Sequence, residues 1–294
     1  MHNFNQHLIT VVIATLGGDS LKDTIVALNQ GSIVPAEILI CIPVIEAPKV
    51  EDIQSQNSNV KILITQCRGQ VAQRAVGFQN ASHDIVMQLD DDLIVDVDCI
   101  SHLLKTFKVH NPKVGVAPAL MNHVTRQSIY KKLDTNIILQ KMYYWLMNGK
   151  DGYQPGIITQ CGSVIGVGPQ NNNERIFEVE WLAGGCIMHH KENLILTNYY
   201  PFEGKAYYED IIHSHYLRKV GIKLIVDVNA HCWMEPPLQQ NGSVVQFIKQ
   251  LKSDFQARKY TMQLLSRMTF RIYLFYIGRI ISYTIKRIST GNDR

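Results

Sequence analysis

Apolar residues recur in short unbroken runs across the first two-fifths of the chain, with polar, helix-spaced segments between them. Leu8–Ala14, Glu37–Ile42, Val60–Thr65, Asp84–Leu89 and Gly115–Leu120 are rich in Val, Ile and Leu and read as strands. Ser20–Asn29, Gln70–Asn80 and Asp98–Val109 have helical apolar spacing, and Ser20 followed by Asp23 reads as a variant capping box. This alternation predicts an α/β fold with a mainly parallel central sheet, whose ligands bind beyond the carboxyl ends of the strands. The loops after Ala14 and Leu89 are the first places to look for a site.

The pattern weakens from Asn122 to Arg175, which holds Tyr143, Tyr144, Trp145, Tyr153 and the run Asn171–Asn173. It reads as an irregular insertion with one helix around Ile137–Met147. Order returns at Phe177–Trp181, Cys186–His189, a helix near Glu209 and a strand over Lys223–Val228. From Val244 onward the chain is helix-like. Two parts are expected: a domain over 1–240 and a basic helical extension over 241–294.

With 46% hydrophobic and 18% charged residues among 294, the chain can bury a substantial core. A net charge of +4 is too mild for a nucleic-acid partner, and the excess concentrates in the tail. There Arg258, Lys259, Arg267, Arg271, Arg279, Lys286, Arg287 and Arg294 face the single acid Asp293. Six cysteines without a CxxC pair fit reduced thiols of a cytoplasmic protein better than a zinc site. The first apolar run is too short for a signal peptide, and no run approaches the ~20 apolar residues of a spanning helix. Met262–Arg287 mixes aliphatic and aromatic residues with arginines, the composition of an interfacial helix. Peripheral contact with the cytoplasmic face of a membrane is expected from it.

The chemistry starts at Val86–Leu89, which runs straight into Asp90, Asp91 and Asp92. Three successive carboxylates at a strand end repel one another and call for a counter-charge, most simply a divalent cation. Mg²⁺ and Mn²⁺ prefer oxygen ligands, and Mg²⁺ commonly joins one or two carboxylates to substrate phosphates. A calcium loop is disfavoured because its required glycine position holds Val95.

At this point the chain resembles the family 2 inverting glycosyltransferases, which have a Rossmann-like nucleotide-sugar-binding fold. The resemblance spans roughly residues 8–235. It rests on Ile9–Thr15, on Arg68–Gly77, on Asp90–Asp92 as the DxD element, on Trp181–Cys186 and on Tyr208–Asp210. One departure is Ala75, where the family usually has Asn after Arg. The resemblance implies a nucleotide-sugar donor, a glycan or lipid-linked acceptor, and Mn²⁺ or Mg²⁺. It places Thr15, Arg74 and Asp90 at the nucleotide or sugar, with Asp91 between that role and the metal. Asp92 and His231 would hold the metal. Trp181, Gly184, Gly185 and Glu209 would line the acceptor side, and Asp210 would be the general base.

Several of these residues have second readings. Arg74 can neutralise a phosphate or pair with an aspartate, and Trp181 can stack on a sugar or fill the core. His189, His190, His213 and His215 read as packing or surface residues. Rival functions are a sugar-nucleotide pyrophosphorylase, a phosphoryl-transfer enzyme with an aspartate nucleophile, or a binding module that has kept the fold. The first expects an arginine in the loop Gly17–Ser20, which has none. The second leaves Glu209–Asp210 unexplained, and the third has no use for a base.

Overall fold

The computed structural model describes residues 8–110, 112–130, 137–169, 174–235 and 243–289. The asparagine run 171–173 and the charges of Asp293 and Arg294 lie outside the described residues. The chain divides into two compact units, residues 1–131 with 167–239, and residues 132–166 with 240–294. The segment 132–166 thus groups with the tail.

The first unit follows the expected alternation with one short helix and one short strand beyond it, α2 and β5: β1 (Ile9–Ala14), α1 (Ser20–Asn29), β2 (Glu37–Pro43), α2 (Glu51–Gln56), β3 (Val60–Thr65), α3 (Gln70–Asn80), β4 (Ile85–Asp90), β5 (Leu93–Val95), α4 (Cys99–Val109) and β6 (Val114–Asn122). After α5 (Ile138–Asn148), which belongs to the second unit, come β7 (Ile176–Glu178), β8 (Cys186–His190), α6 (Glu209–Lys219) and β9 (Lys223–Met234). The strands form one sheet in the order β3-β2-β1-β4-β8-β6-β9-β5, with β7 on β9. The block from β3 to β4 is parallel, β8 runs antiparallel between β4 and β6, and β6 and β9 are again parallel.

Every residue of β1 and β2 is buried, which is why both read as unbroken apolar runs rather than alternating ones. Helix α3 lies close against them at Gly77, where a Cβ would come within 2.6 Å of Cys41 Sγ. One local expectation fails. The residue flanking α1 is Asp19, without a side-chain cap bond, and Ser20 is already inside the helix. Gly18 O accepts the N–H of Leu21 at 3.2 Å instead, so the backbone supplies the bond a cap would have made.

The six cysteines, scattered in sequence, include three that meet in the core. Cys99, Cys186 and Cys232 are buried, and the Sγ atoms of Cys99 and Cys232 lie 3.9 Å apart. All six are free thiols.

The second unit contains α5, α7 (Val244–Leu264) and α8 (Arg271–Ser289). Helix α7 opens on a capping box in which Ser243 and Gln246 exchange bonds of 3.2 and 3.0 Å. Buried Arg258 of α7 donates to Cys161 O at 2.8 Å and Ser163 Oγ at 2.9 Å. Arg267 donates to Ile158 O at 3.1 Å and Thr269 to Gln160 O at 2.7 Å. These bonds satisfy the carbonyls of an irregular segment from residues a hundred positions away. That is why the segment has no periodic pattern of its own.

Candidate active site

In the register of β1 and β4, Ala14 lies opposite Asp90, so the loops that follow both strands emerge side by side. Thr15 Oγ1 donates to Asp91 Oδ2 and accepts the N–H of Gly17 at 2.9 Å. Thr24 of α1 donates to the carbonyl of Asp91 at 3.0 Å. The expected nucleotide contacts Thr15 and Asp91 are therefore one bonded unit.

Asp90 points the other way, towards α3. Gln70 Nε2 donates to its Oδ1 at 2.7 Å, and Arg74 Nη2 donates to the same oxygen. Arg74 Nη1 donates to Glu209 Oε1 at 2.7 Å, and Tyr199 OH donates to Glu209 Oε2 at 3.0 Å. Burial alone would disfavour a charged Arg74, but Glu209 and Asp90 on either side hold it protonated. Burial also pushes the pKa of Asp90 up against the pull of Arg74. Burial and Glu209 keep the Tyr199 phenol protonated and thus a donor. Arg74 thus makes the pair with an aspartate that one of its two readings describes.

Glu209 and Asp210 open α6 with different surroundings. Tyr208, just before them, holds a left-handed φ of +61°, which few non-glycine residues adopt. Glu209 is buried and fully engaged. Asp210 is partly exposed, and Ile211 N–H donates to its Oδ1 at 2.9 Å. Its pKa is pushed up to about 7 by shielding from water and by the Glu209 charge.

The loop before β8 closes this side. Gln88 Nε2 donates to Gly184 O at 2.6 Å, and Asp90 N–H donates to Gly185 O at 2.7 Å. A Cβ on Gly184 would stand 2.6 Å from Glu209 Oε1, and one on Gly185 3.2 Å from Asp90 Oδ2. Glycine is what lets this backbone reach the carboxylates. Trp181 is only 4% exposed and meets Tyr130 edge-to-face at 5.9 Å. The ring belongs to the packed interior, not to an open sugar platform.

Asp92 is exposed, and shielding from water together with Asp90 and Asp91 raises its pKa. His231 is placed elsewhere. Leu93 pairs with Met234 and Val95 with Cys232, which sets His231 level with Asp96, on the order of 10 Å along the ladder from Asp92. Its Nδ1 lies 3.6 Å from Asp96 Oδ2 and its Nε2 3.1 Å from Val228 O. The structure thus separates the two expected metal ligands. Among the described residues no three His, Cys, Asp or Glu side chains converge on a preformed metal cage. A Mg²⁺ or Mn²⁺ that keeps waters and shares one or two carboxylates with a diphosphate needs none. The exposed, like-charged Asp92 fits such an ion.

Sequence reasoning missed Tyr199, Gln70, Gln73 and Gln88. Gln73 is buried and donates to Thr15 O at 2.8 Å and Cys41 O at 2.7 Å, pinning the loop after β1. The available signal was polarity where burial was predicted: Gln70, Gln73 and Arg74 share one face of α3, and Gln88 interrupts an apolar strand. His189 and His213 are buried, 5.5 Å apart, and burial keeps both neutral; they are packing residues.

Residues 47–166 match the profile of glycosyl transferase family 2. Over 89 residues it is 32% identical to poly-beta-1,6-N-acetyl-D-glucosamine synthase of Staphylococcus aureus (strain COL), covering 30% of this chain. The chain spans about a fifth (21%) of the length of that relative. A structure of GalNAc-T7 with UDP, GalNAc and Mn²⁺ shares the fold, with a TM-score of 0.60 and 16% identity over 89% of this chain and 48% of that one. The mannosyltransferase PcManGT from Pyrobaculum calidifontis, with GDP-Man and Mn²⁺, aligns at a TM-score of 0.52 and 14% identity over 89% of this chain and 64% of that one.

Proposed function

We propose that the chain transfers a sugar from a nucleoside diphosphate donor to a hydroxyl of a glycan or lipid-linked acceptor, with inversion and with a divalent ion. The observation that carries this reading is the difference between two adjacent carboxylates. Glu209 is consumed in bonds to Arg74 and Tyr199, while Asp210 stays partly open with a pKa of about 7. A general base works best near that value.

Thr15 and Asp91 form the donor side, where the nucleotide meets the loop after β1. Asp90, held by Gln70 and Arg74, forms the floor towards the sugar. Asp92 would hold the Mg²⁺ or Mn²⁺, which when bound offsets the charge on the departing diphosphate. Asp210 takes the proton from the attacking hydroxyl as the new bond forms in line. Arg74 and Tyr199 fix Glu209, and thereby the helix end from which Asp210 projects. Peripheral membrane contact belongs to the same reading, since a lipid-linked acceptor is met at a bilayer surface.

The test is a screen of UDP-, GDP- and dTDP-sugars with Mn²⁺, comparing the wild type with Asp92→Ala. Metal-dependent release of one nucleoside diphosphate, lost in the variant, is the expected result. Absence of both turnover and nucleotide binding by calorimetry overturns the reading.

A further inference from the structure

The second unit carries 13 Lys and Arg against 4 Asp and Glu, a formal +9, which leaves −5 on the first because the whole chain is +4. The same unit leaves apolar helix faces uncovered. On α8, Tyr273, Ile277, Ile280, Ile281, Ile285 and Ile288 are exposed, from 46% at Ile280 to 76% at Ile288. At ~100° per residue they fall within an arc of about 140°. The other side of α8 is already packed: Ile272 and Tyr276 are buried, and Tyr276 bonds to Asp254 of α7. The stripe is what remains after the unit has folded.

Helix α5 adds to it. Ile138, Leu139 and Met142 are each more than 60% exposed. The two helices meet at Arg271, whose Nη1 donates to Trp145 O at 2.6 Å and Leu146 O at 2.9 Å. Its guanidinium lies 4.9 Å from the Trp145 ring and 5.3 Å from the Phe270 ring, and both rings are exposed. An aromatic pair clasping a cation therefore bridges the two apolar faces.

We infer that α5 and α8 together form one docking face that lies in the plane of an anionic lipid bilayer, with the aromatic–arginine junction at headgroup level. A helix with an apolar stripe and flanking cations inserts its stripe shallowly while the cations meet anionic headgroups. No helix among the described residues is long and apolar enough to cross a membrane, so the face lies on the bilayer. A second copy of the chain is a poorer occupant, because it would set another +9 against this one. The inference rests on the proposed transferase reading only for the reason the enzyme would work at a membrane.

The test is co-sedimentation of the full chain with phosphatidylcholine vesicles, with and without phosphatidylglycerol. Binding is expected only with the anionic lipid. Ile277→Glu with Ile281→Glu, and separately Ile138→Glu with Leu139→Glu, are each expected to weaken it by about tenfold or more, with unchanged far-UV circular dichroism. Equal binding to neutral vesicles, no binding to anionic ones, or indifference to the α5 pair overturns the inference. So does a dimer in solution, seen by light scattering, that either pair of substitutions dissolves. Nucleoside diphosphate release measured without vesicles reports on the transferase reading alone, so the two can fail independently.

Discussion

Arg74 Nη1 stands 2.7 Å from Glu209 Oε1, joining residues 135 positions apart. Its other terminal nitrogen holds Asp90, so one buried guanidinium ties α3, the end of β4 and the start of α6 together. Arg74→Ala leaves two shielded carboxylates without their cation. A loss of about 3–5 kcal/mol of stability is expected, measured by urea denaturation. Arg74→Lys should recover only part of it, since a single ammonium does not reproduce the two-pronged contact.

The state of Asp210 sets a pH dependence. Its pKa is raised to about 7 in the folded chain from 3.8, so the native state binds the proton more tightly than the unfolded one. Ionised Asp210 therefore costs stability, a cost that grows between about pH 4 and 7 and is constant above. Asp210→Asn should be more stable than the wild type at pH 8, with the gap closing towards pH 4. In catalysis the order reverses. kcat/KM should fall below pH 7 as the proposed base protonates, and Asp210→Asn should lose about 10²–10⁴ in transfer rate while still binding donor nucleotide.

Gly184→Ala places a methyl group 2.6 Å from Glu209 Oε1. Either the loop or the carboxylate must shift. A displacement of that size should cost up to about 10²-fold in kcat, with donor affinity by calorimetry little changed.

Thr15→Val removes the hydroxyl that bonds Asp91 and receives Gly17 N–H. The expected signature is a higher KM for the donor with kcat nearly intact, because the proposed role of Thr15 is on the nucleotide side. The opposite split would place Thr15 in the chemical step.

Asp92→Asn tests the metal. Asp92 is exposed, so the change should leave thermal unfolding within about 0.5 kcal/mol of the wild type. The Mn²⁺ concentration giving half-maximal turnover should rise by at least about tenfold.

Strands β1, β2 and β4 were legible because burial on both faces writes itself as unbroken apolar runs, and edge strand β3 and helices α1 and α3 from their composition and spacing, whereas the short helix α2 was not read. The order of the site motifs was legible for the same reason: strand ends carry the polar residues. Other features depend on side chains meeting across the fold. Tyr199 lies ten positions before Glu209 in a segment without periodicity, and nothing local marks its hydroxyl as a partner. The burial of Trp181 depends on Tyr130, and the position of His231 on a β5–β9 ladder too short to predict. The grouping of 137–166 with the tail rests on Arg258 and Arg267 reaching distant carbonyls, which no periodicity encodes.

The reversed strand β8 has a consequence for how such a chain can change. It delivers its amino-terminal end to Asp90, through Gly185 O, while its antiparallel neighbours β4 and β6 run the other way and deliver their carboxyl ends. The loop that walls this side therefore enters from segments remote in sequence from the parallel half. Exchanging the residues ahead of β8, while keeping Gly184 and Gly185, would redraw one wall and leave the strands that seat Thr15 and Asp91 untouched. The sheet thus contains a seam along which one half can diversify at constant chemistry in the other.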